Sequence, residues 1–340
     1  IFQKFQLIYF RDKLQLRKNC YIVAMGVAFE ISNLILSILW SYVVSAYRLI
    51  VPVPRKRING EIALITGGGG KIGECIAAEL VKEEVTIVLW DINEHACERV
   101  AKKLRKEGAT VHAYKCDIAD KEDVYSVAKK VEEEVGHVTI LINNAGILIS
   151  RKFLNCSDQE LAKQVEINTI AHFWTTKAFL PHMQEINYGH IVTVSSNAGI
   201  FGVHYLVGYC SSKFGALGFH ESLTNELMIC GKTGVKTTCL CPFMVDTPLI
   251  GTNSSRFPSM FPRLTPEFVA SELMDGMLRN KTMVVLPKTQ AFFAFLKMIM
   301  PEKAGRMLYK FFQVQIDEES ADNRFKRREK ASSIEDKKCE

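Results

Sequence analysis

The sequence predicts an α/β domain built on a parallel, doubly wound sheet flanked by helices, preceded by a hydrophobic membrane-anchor helix. Three observations predict it. From Ile58 onward, short apolar runs alternate with polar stretches of helical period; a glycine-rich turn joins the first run to the first helix; and residues 21–51 are almost wholly apolar. Short apolar strands alternating with helices mark a parallel sheet covered on both faces. No repeat of solenoid period is present.

The N-terminal segment comes first. Residues 21–51 are interrupted only by Glu30, Asn33 and Arg48. The cleanest stretch, 34–47, is too short to cross a bilayer, but the whole run is long enough if Glu30 and Asn33 are accommodated. Tyr21, Trp40, Tyr42 and Tyr47 suit a membrane interface. Bases flank both ends, so the positive-inside rule sets no orientation. A cleaved signal peptide fits poorly, because Pro-x-Pro-Arg-Lys-Arg follows at 52–57 without a small-residue cleavage site. Membrane attachment, spanning or as a hairpin in one leaflet, is preferred to a buried core helix.

The catalytic domain is expected over 58–316. Residues 62–66, 86–90, 111–114, 140–142, 190–195 and 236–241 read as buried strands. Between them, Ile72, Ile76 and Leu80 share a helical face, and 94–106 and 121–135 read as helices. Beyond residue 247 the pattern weakens. Residues 249–266 form a Pro/Ser-rich loop carrying Phe257, Met260 and Phe261, and 291–300 and 307–314 are apolar with few charges. Those two segments are either core helices or a greasy face toward substrate or membrane. The tail, 317–340, holds eight acids and seven bases without apolar periodicity, and disorder is expected there.

Composition narrows the function. The chain has 340 residues, 48% hydrophobic and 24% charged, with 21 glycines and 10 prolines, which excludes a collagen-like or largely disordered protein. The net charge is +6, but residues 1–57 hold nine bases against two acids (+7), leaving 34 bases against 35 acids (−1) for the rest. The body therefore lacks the basic surplus that nucleic-acid binding requires. The ten cysteines are scattered, with no C-x-x-C and no Cys/His cluster at zinc spacing, so reduced thiols and no metal are expected.

The chemistry sits at the ends of the strands. The run Thr66-Gly67-Gly68-Gly69-Gly70-Lys71-Ile72-Gly73 lies between first strand and first helix, where glycines admit a pyrophosphate to the positive helix end. Such a turn alone is a weak signal. Asp91, 18 residues past Gly73, closes the second strand, where a carboxylate accepts bonds from ribose hydroxyls and repels a 2′-phosphate, favouring NAD. Its plainer role is a helix N-cap. Asp117, and Asn143-Asn144-Ala145-Gly146, follow the third and fourth strands, at the edge where open α/β sheets bind ligands.

Tyr209 and Lys213 lie four residues apart, on one face if helical. A phenol of pKa about 10 is a poor base at neutral pH; a nearby ammonium and a cationic nicotinamide ring favour the phenolate. Ser196, 13 residues before Tyr209, ends a strand and can bond the reacting oxygen. Asn168 falls mid-helix, where its amide could hold a water linking Lys213 to solvent. Each has a bland reading as a surface pair, a strand-end cap or a core amide. In this order, with the glycine loop, chance explains them poorly.

These residues resemble, over roughly 58–290, the short-chain dehydrogenase/reductase family. Phrases such as Val-Leu-Trp-Asp-Ile-Asn and His-Phe-Trp-Thr-Thr-Lys-Ala-Phe-Leu-Pro resemble its membrane-associated branch of retinol and 17β-hydroxysteroid dehydrogenases. The resemblance implies a seven-stranded Rossmann-type sheet, frequent homodimers, and NAD-linked oxidation of a lipophilic alcohol. The setting it implies is an endoplasmic reticulum or lipid-droplet surface, with the catalytic domain facing the cytosol. Carried over, Tyr209 is the proton acceptor, Lys213 lowers its pKa and binds the nicotinamide ribose, Ser196 orients the substrate oxygen, and Asn168 holds the relay water. Gly67, Gly69, Ile72, Gly73, Asp91, Asp117, Asn144, Ala145 and Gly146 match the cofactor-binding positions. Pro242 and Thr247 match the segment at the nicotinamide end.

Two residues depart from the pattern: Lys71 and Phe243 stand where the family usually has glycine. Lys71 crowds the pyrophosphate approach, yet its ammonium can pair with phosphate. It keeps open an alternative, an NADPH-dependent carbonyl reductase. A second alternative is a non-catalytic membrane or lipid-droplet scaffold that retains the fold.

Overall fold

The computed structural model describes the backbone of residues 2–248, 253–254, 256–312 and 315–316. The predicted disordered tail, 317–340, and residues 249–252 and 255 of the predicted 249–266 loop lie outside the described residues. The chain divides into two units, Ile1–Pro54 and Arg55–Glu340.

The first unit is one helix, α1 (Phe2–Ile50). No break interrupts it, so the hairpin expected as one of two membrane modes is absent among the described residues. Within it, Met25–Arg48 is 24 residues long with mean hydropathy 1.7. At 1.5 Å per residue that is about 36 Å, enough to cross a hydrocarbon core of about 30 Å. Its large side chains, such as Met25, Phe29 and Trp40, are exposed.

The second unit is built on seven parallel strands: β1 (Ile62–Thr66), β2 (Thr86–Asp91), β3 (Val111–Lys115), β4 (Ile140–Asn143), β5 (Gly189–Val194), β6 (Val235–Pro242) and β7 (Met283–Leu286). Their spatial order is β3-β2-β1-β4-β5-β6-β7. Helices α2 (Lys71–Val81), α3 (Glu94–Lys106), α4 (Lys121–Glu134), α5 (Asp158–Val165), α6 (Ala171–Glu185), α7 (Val207–Ile229) and α8 (Pro266–Leu278) connect the strands. Successive strand residues point to opposite faces. Thus Ile65, Leu89 and Ile142 enter one core with Ile76 of α2 and Leu273 of α8. Leu64, Val88 and Leu141 enter the other with Val124 of α4 and Phe179 of α6. Both faces are buried, as the uninterrupted apolar strands require.

The winding order across the sheet reverses between β1 and β4, whose carboxyl ends therefore open a crevice. Two further helices, α9 (Lys288–Ile299) and α10 (Glu302–Phe312), cover the apolar segments that had two readings. They are not core helices. Gln290 is the one buried residue of α9 and α10 has none, while Phe292, Phe295, Met298 and Met307 are exposed. Their other faces roof the cavity described next. Eight described cysteines carry free thiols, six of them buried.

Candidate active site

The end of β1 is clamped to the end of β4 by Thr66. Its Oγ1 accepts from Asn144 N at 3.0 Å and Ala145 N at 3.1 Å, while Asn144 Nδ2 donates to Thr66 O at 2.9 Å. This clamp fixes the turn that follows. Gly67 has φ +66°, and a Cβ there would lie 2.8 Å from Ala145 Cα. A Cβ at Gly73 would lie 2.4 Å from Gly67 O, so the helix start can close on the loop only without a side chain. The plainer role for Asp91 fails: the N-cap of α3 is Asn93, whose side chain accepts from Ala96 N. Asp91 instead braces the loop, its Oδ2 accepting from Gly69 N at 3.0 Å and its Oδ1 from Asn93 N at 2.9 Å.

Gly67, Gly69, Gly73, Asp91 and Ala145 thus form one cradle at the amino end of α2, with a carboxylate at its rim. The residues present fit the pyrophosphate and ribose of a dinucleotide: backbone approaches where any Cβ would intrude, and the helix end is positive. Asp117 follows β3, its Oδ1 accepting from Ala119 N at 3.0 Å in a local turn.

The second group of predicted residues lines a cavity of about 690 Å³ beside the cradle. Ser196, Tyr209, Lys213 and Gly146 meet there, together with Asn144 and Ile72. Pro242 and Thr247 line it as well. Tyr209 and Lys213 project from α7, four residues apart as expected, and are 8% and 3% exposed. Lys213 Nζ donates to Val194 O at 2.9 Å and lies 5.9 Å from the centre of the Tyr209 ring. Ser196 follows β5 and caps a short 3-10 turn, its Oγ accepting from Ala198 N at 3.1 Å.

Burial dominates the electrostatics. It pushes the Tyr209 hydroxyl up to about 12, against an opposing pull from the Ser196 hydroxyl. It lowers Lys213 to about 8, although the Cys239 and Cys241 thiols act the other way. The protein's own groups therefore hold Tyr209 as a neutral phenol.

Asn168 falls mid-helix as expected, in a π-helical turn, Glu166–Ile170, that joins α5 to α6 without a break. Its amide is held on both sides: Oδ1 accepts from Ile147 N at 2.8 Å, and Nδ2 donates to Ile147 O at 2.8 Å and Ser212 Oγ at 2.9 Å. The side chain thus fixes the segment after Gly146 against α7.

Sequence reasoning missed Thr66 as the clamp; of its two readings of 291–300 and 307–314, the greasy face toward substrate is the one that fits Phe293 and Leu296 of α9 with Leu308 and Phe312 of α10, which roof the cavity. The signal for the roof was present in two apolar segments with few charges. Phe243 and Phe261, ring centres 5.7 Å apart, close the same side. Lys71 turns toward α8, where its Nζ lies 3.4 Å from Glu267 Oε1.

The profile of the short chain dehydrogenase family matches residues 61–256. Human 17-beta-hydroxysteroid dehydrogenase 13 is 43% identical over 293 residues, covering 86% of this chain and 97% of that protein. Human epidermal retinol dehydrogenase 2 is 44% identical over 260 residues, 76% of this chain and 84% of that one. Among solved structures, a short chain dehydrogenase/reductase from Burkholderia phymatum in complex with NAD superposes with a TM-score of 0.65 at 23% identity. The superposition covers 72% of this chain and 94% of that one, and it shows the shared fold.

Proposed function

The chain belongs to the short chain dehydrogenase family, an oxidoreductase related to hydroxysteroid and retinol dehydrogenases, and from that premise we propose that it oxidises a lipophilic alcohol to its carbonyl compound with NAD as hydride acceptor. One observation carries the reading. Ser196, Tyr209 and Lys213 converge on a large apolar cavity that adjoins a glycine cradle rimmed by Asp91.

An oxidised nicotinamide held by the cradle would supply the hydride-accepting carbon and a positive charge that favours the phenolate of Tyr209 over the neutral phenol that burial maintains. The phenolate then takes the substrate's hydroxyl proton as general base. Ser196, at the strand end, offers its hydroxyl to the same oxygen and holds it during the change from alcohol to carbonyl. Lys213, pinned by Val194 O, keeps an ammonium beside the phenol. Its pKa of about 8 leaves it mostly charged at neutral pH.

The lining supports this substrate class. A cavity of about 690 Å³ roofed by phenylalanines suits a ligand of steroid or retinoid size. Asp91 carries the preference for NAD, because a 2′-phosphate would meet its carboxylate. The NADPH alternative drew on Lys71, whose ammonium is engaged by Glu267. Helix α1 is read as the attachment to an endoplasmic reticulum membrane or lipid droplet. The test is NADH formation by the full chain in membranes, offered retinoids, 17β-hydroxysteroids and fatty alcohols. Formation of NADH from one of these classes is expected, and none from any would reject the reading.

A further inference from the structure

Lys71 occupies the first position of α2, directly after the N-cap Gly70. A cation at that end opposes the helix dipole and calls for an anion. The structure supplies one from another helix. Glu267, in the first turn of α8, lies 3.4 Å from Lys71 Nζ and accepts from Cys75 Sγ, one turn further along α2, at 3.6 Å. A single carboxylate therefore sits between the amino ends of two helices and holds the one side chain that breaks the glycine pattern of the cradle.

The same helix end is where the cradle presents its backbone to a pyrophosphate. Both partners are half exposed, with side chains 44% and 63% accessible, so their ion pair is weak and exchangeable. A phosphate oxygen at the helix end offers the ammonium a stronger, charge-assisted bond. We propose that Lys71 exchanges Glu267 for the cofactor pyrophosphate, so that Glu267 is a built-in competitor that sets dinucleotide affinity. The proposal rests on the reading of the cradle as a dinucleotide site. It assigns Lys71 to the pyrophosphate rather than to a 2′-phosphate. At Asp91's end of the loop stands Arg99 instead, whose Nη2 donates to Gly69 O at 3.4 Å.

The test is a set of binding titrations on the full chain in detergent, with NADH, NADPH, ADP-ribose and AMP as probes. Glu267→Gln frees the ammonium and is expected to tighten NADH, NADPH and ADP-ribose alike, by about three- to fivefold, the size of a weak ion pair. AMP, which has no pyrophosphate, should change least. Lys71→Met should loosen the same three probes and abolish the effect of Glu267→Gln in the double variant; Lys71→Gln serves if Lys71→Met does not fold. No tightening, tightening that survives Lys71→Met, or tightening confined to NADPH would overturn the proposal. Failure of the unmodified chain to bind any dinucleotide would overturn the proposal together with the functional reading. Binding without a Glu267 effect overturns the proposal alone.

Discussion

Adding one methyl group to the cradle at two neighbouring glycines separates backbone packing from general disturbance of the loop. At Gly73 a Cβ would sit 2.4 Å from Gly67 O and 3.0 Å from Gly68 Cα, both backbone atoms. Gly67 cannot retreat, because its own position is set against Ala145 Cα. Relief to an ordinary contact requires loop and helix to part by about 1 Å, and overpacking of this kind costs about 1–3 kcal/mol. At Gly70 the Cβ would meet only Gly67 O, at 3.3 Å, and the backbone there (φ −79°, ψ 160°) suits any residue. Gly73→Ala is therefore expected to weaken NADH binding by about 10- to 100-fold, the affinity equivalent of about 1.4–2.8 kcal/mol. It should also lower the melting temperature, whereas Gly70→Ala changes binding by about threefold or less. Calorimetric titration with NADH and a thermal melt measure both. Equal losses in the two variants, or full affinity in Gly73→Ala, would refute the geometry assigned to the cradle.

Asp91→Ala removes the acceptor for Gly69 N–H and the charge that repels a 2′-phosphate. The ratio of NADH to NADPH affinity should fall about tenfold, about 1.4 kcal/mol, and an unchanged ratio would contradict the role given to Asp91. Acid should destabilise the fold through its buried histidines. Burial lowers His172 to about 3 and His220 to about 4, while His190 falls well below its ordinary value. The unfolded chain takes up protons below about 6.5 and the native one does not, so stability declines as pH falls from there toward 4. The slope is about 1.4 kcal/mol per pH unit per histidine, read from urea melts; stability independent of pH over that range would contradict it. Because Tyr209 stands at about 12, the phenolate fraction near neutrality grows with each added pH unit. The rate of alcohol oxidation at limiting substrate should rise with pH from 6 to 8, and a flat profile would contradict a phenolic base.

The parts of the molecule legible in the sequence are those governed by local rules. Apolar strands such as Ile62–Thr66, with a glycine turn behind them, announce a parallel sheet because both of its faces must be buried. The Tyr209/Lys213 spacing needs only one helix to become a shared face. The rest depends on distant partners. Strand β7 is four residues long, and it exists because Cys239–Pro242 lends it a ladder. The roles of α9 and α10 are set by a cavity that other elements build. Asn168 was placed correctly along the chain, yet the use of its amide is set by Ile147 and Ser212, 21 and 44 residues away. The pairing of Lys71 with Glu267 spans 196 residues and has no local signature.

The central claim is that Tyr209 is the proton acceptor of a lipid-alcohol dehydrogenase. The most direct measurement compares the full chain with Tyr209→Phe in the same membranes, following NADH formation and NADH binding together. The variant is expected to lose turnover by at least about 100-fold while its NADH affinity stays within about twofold. Turnover at the unmodified rate in Tyr209→Phe would contradict it.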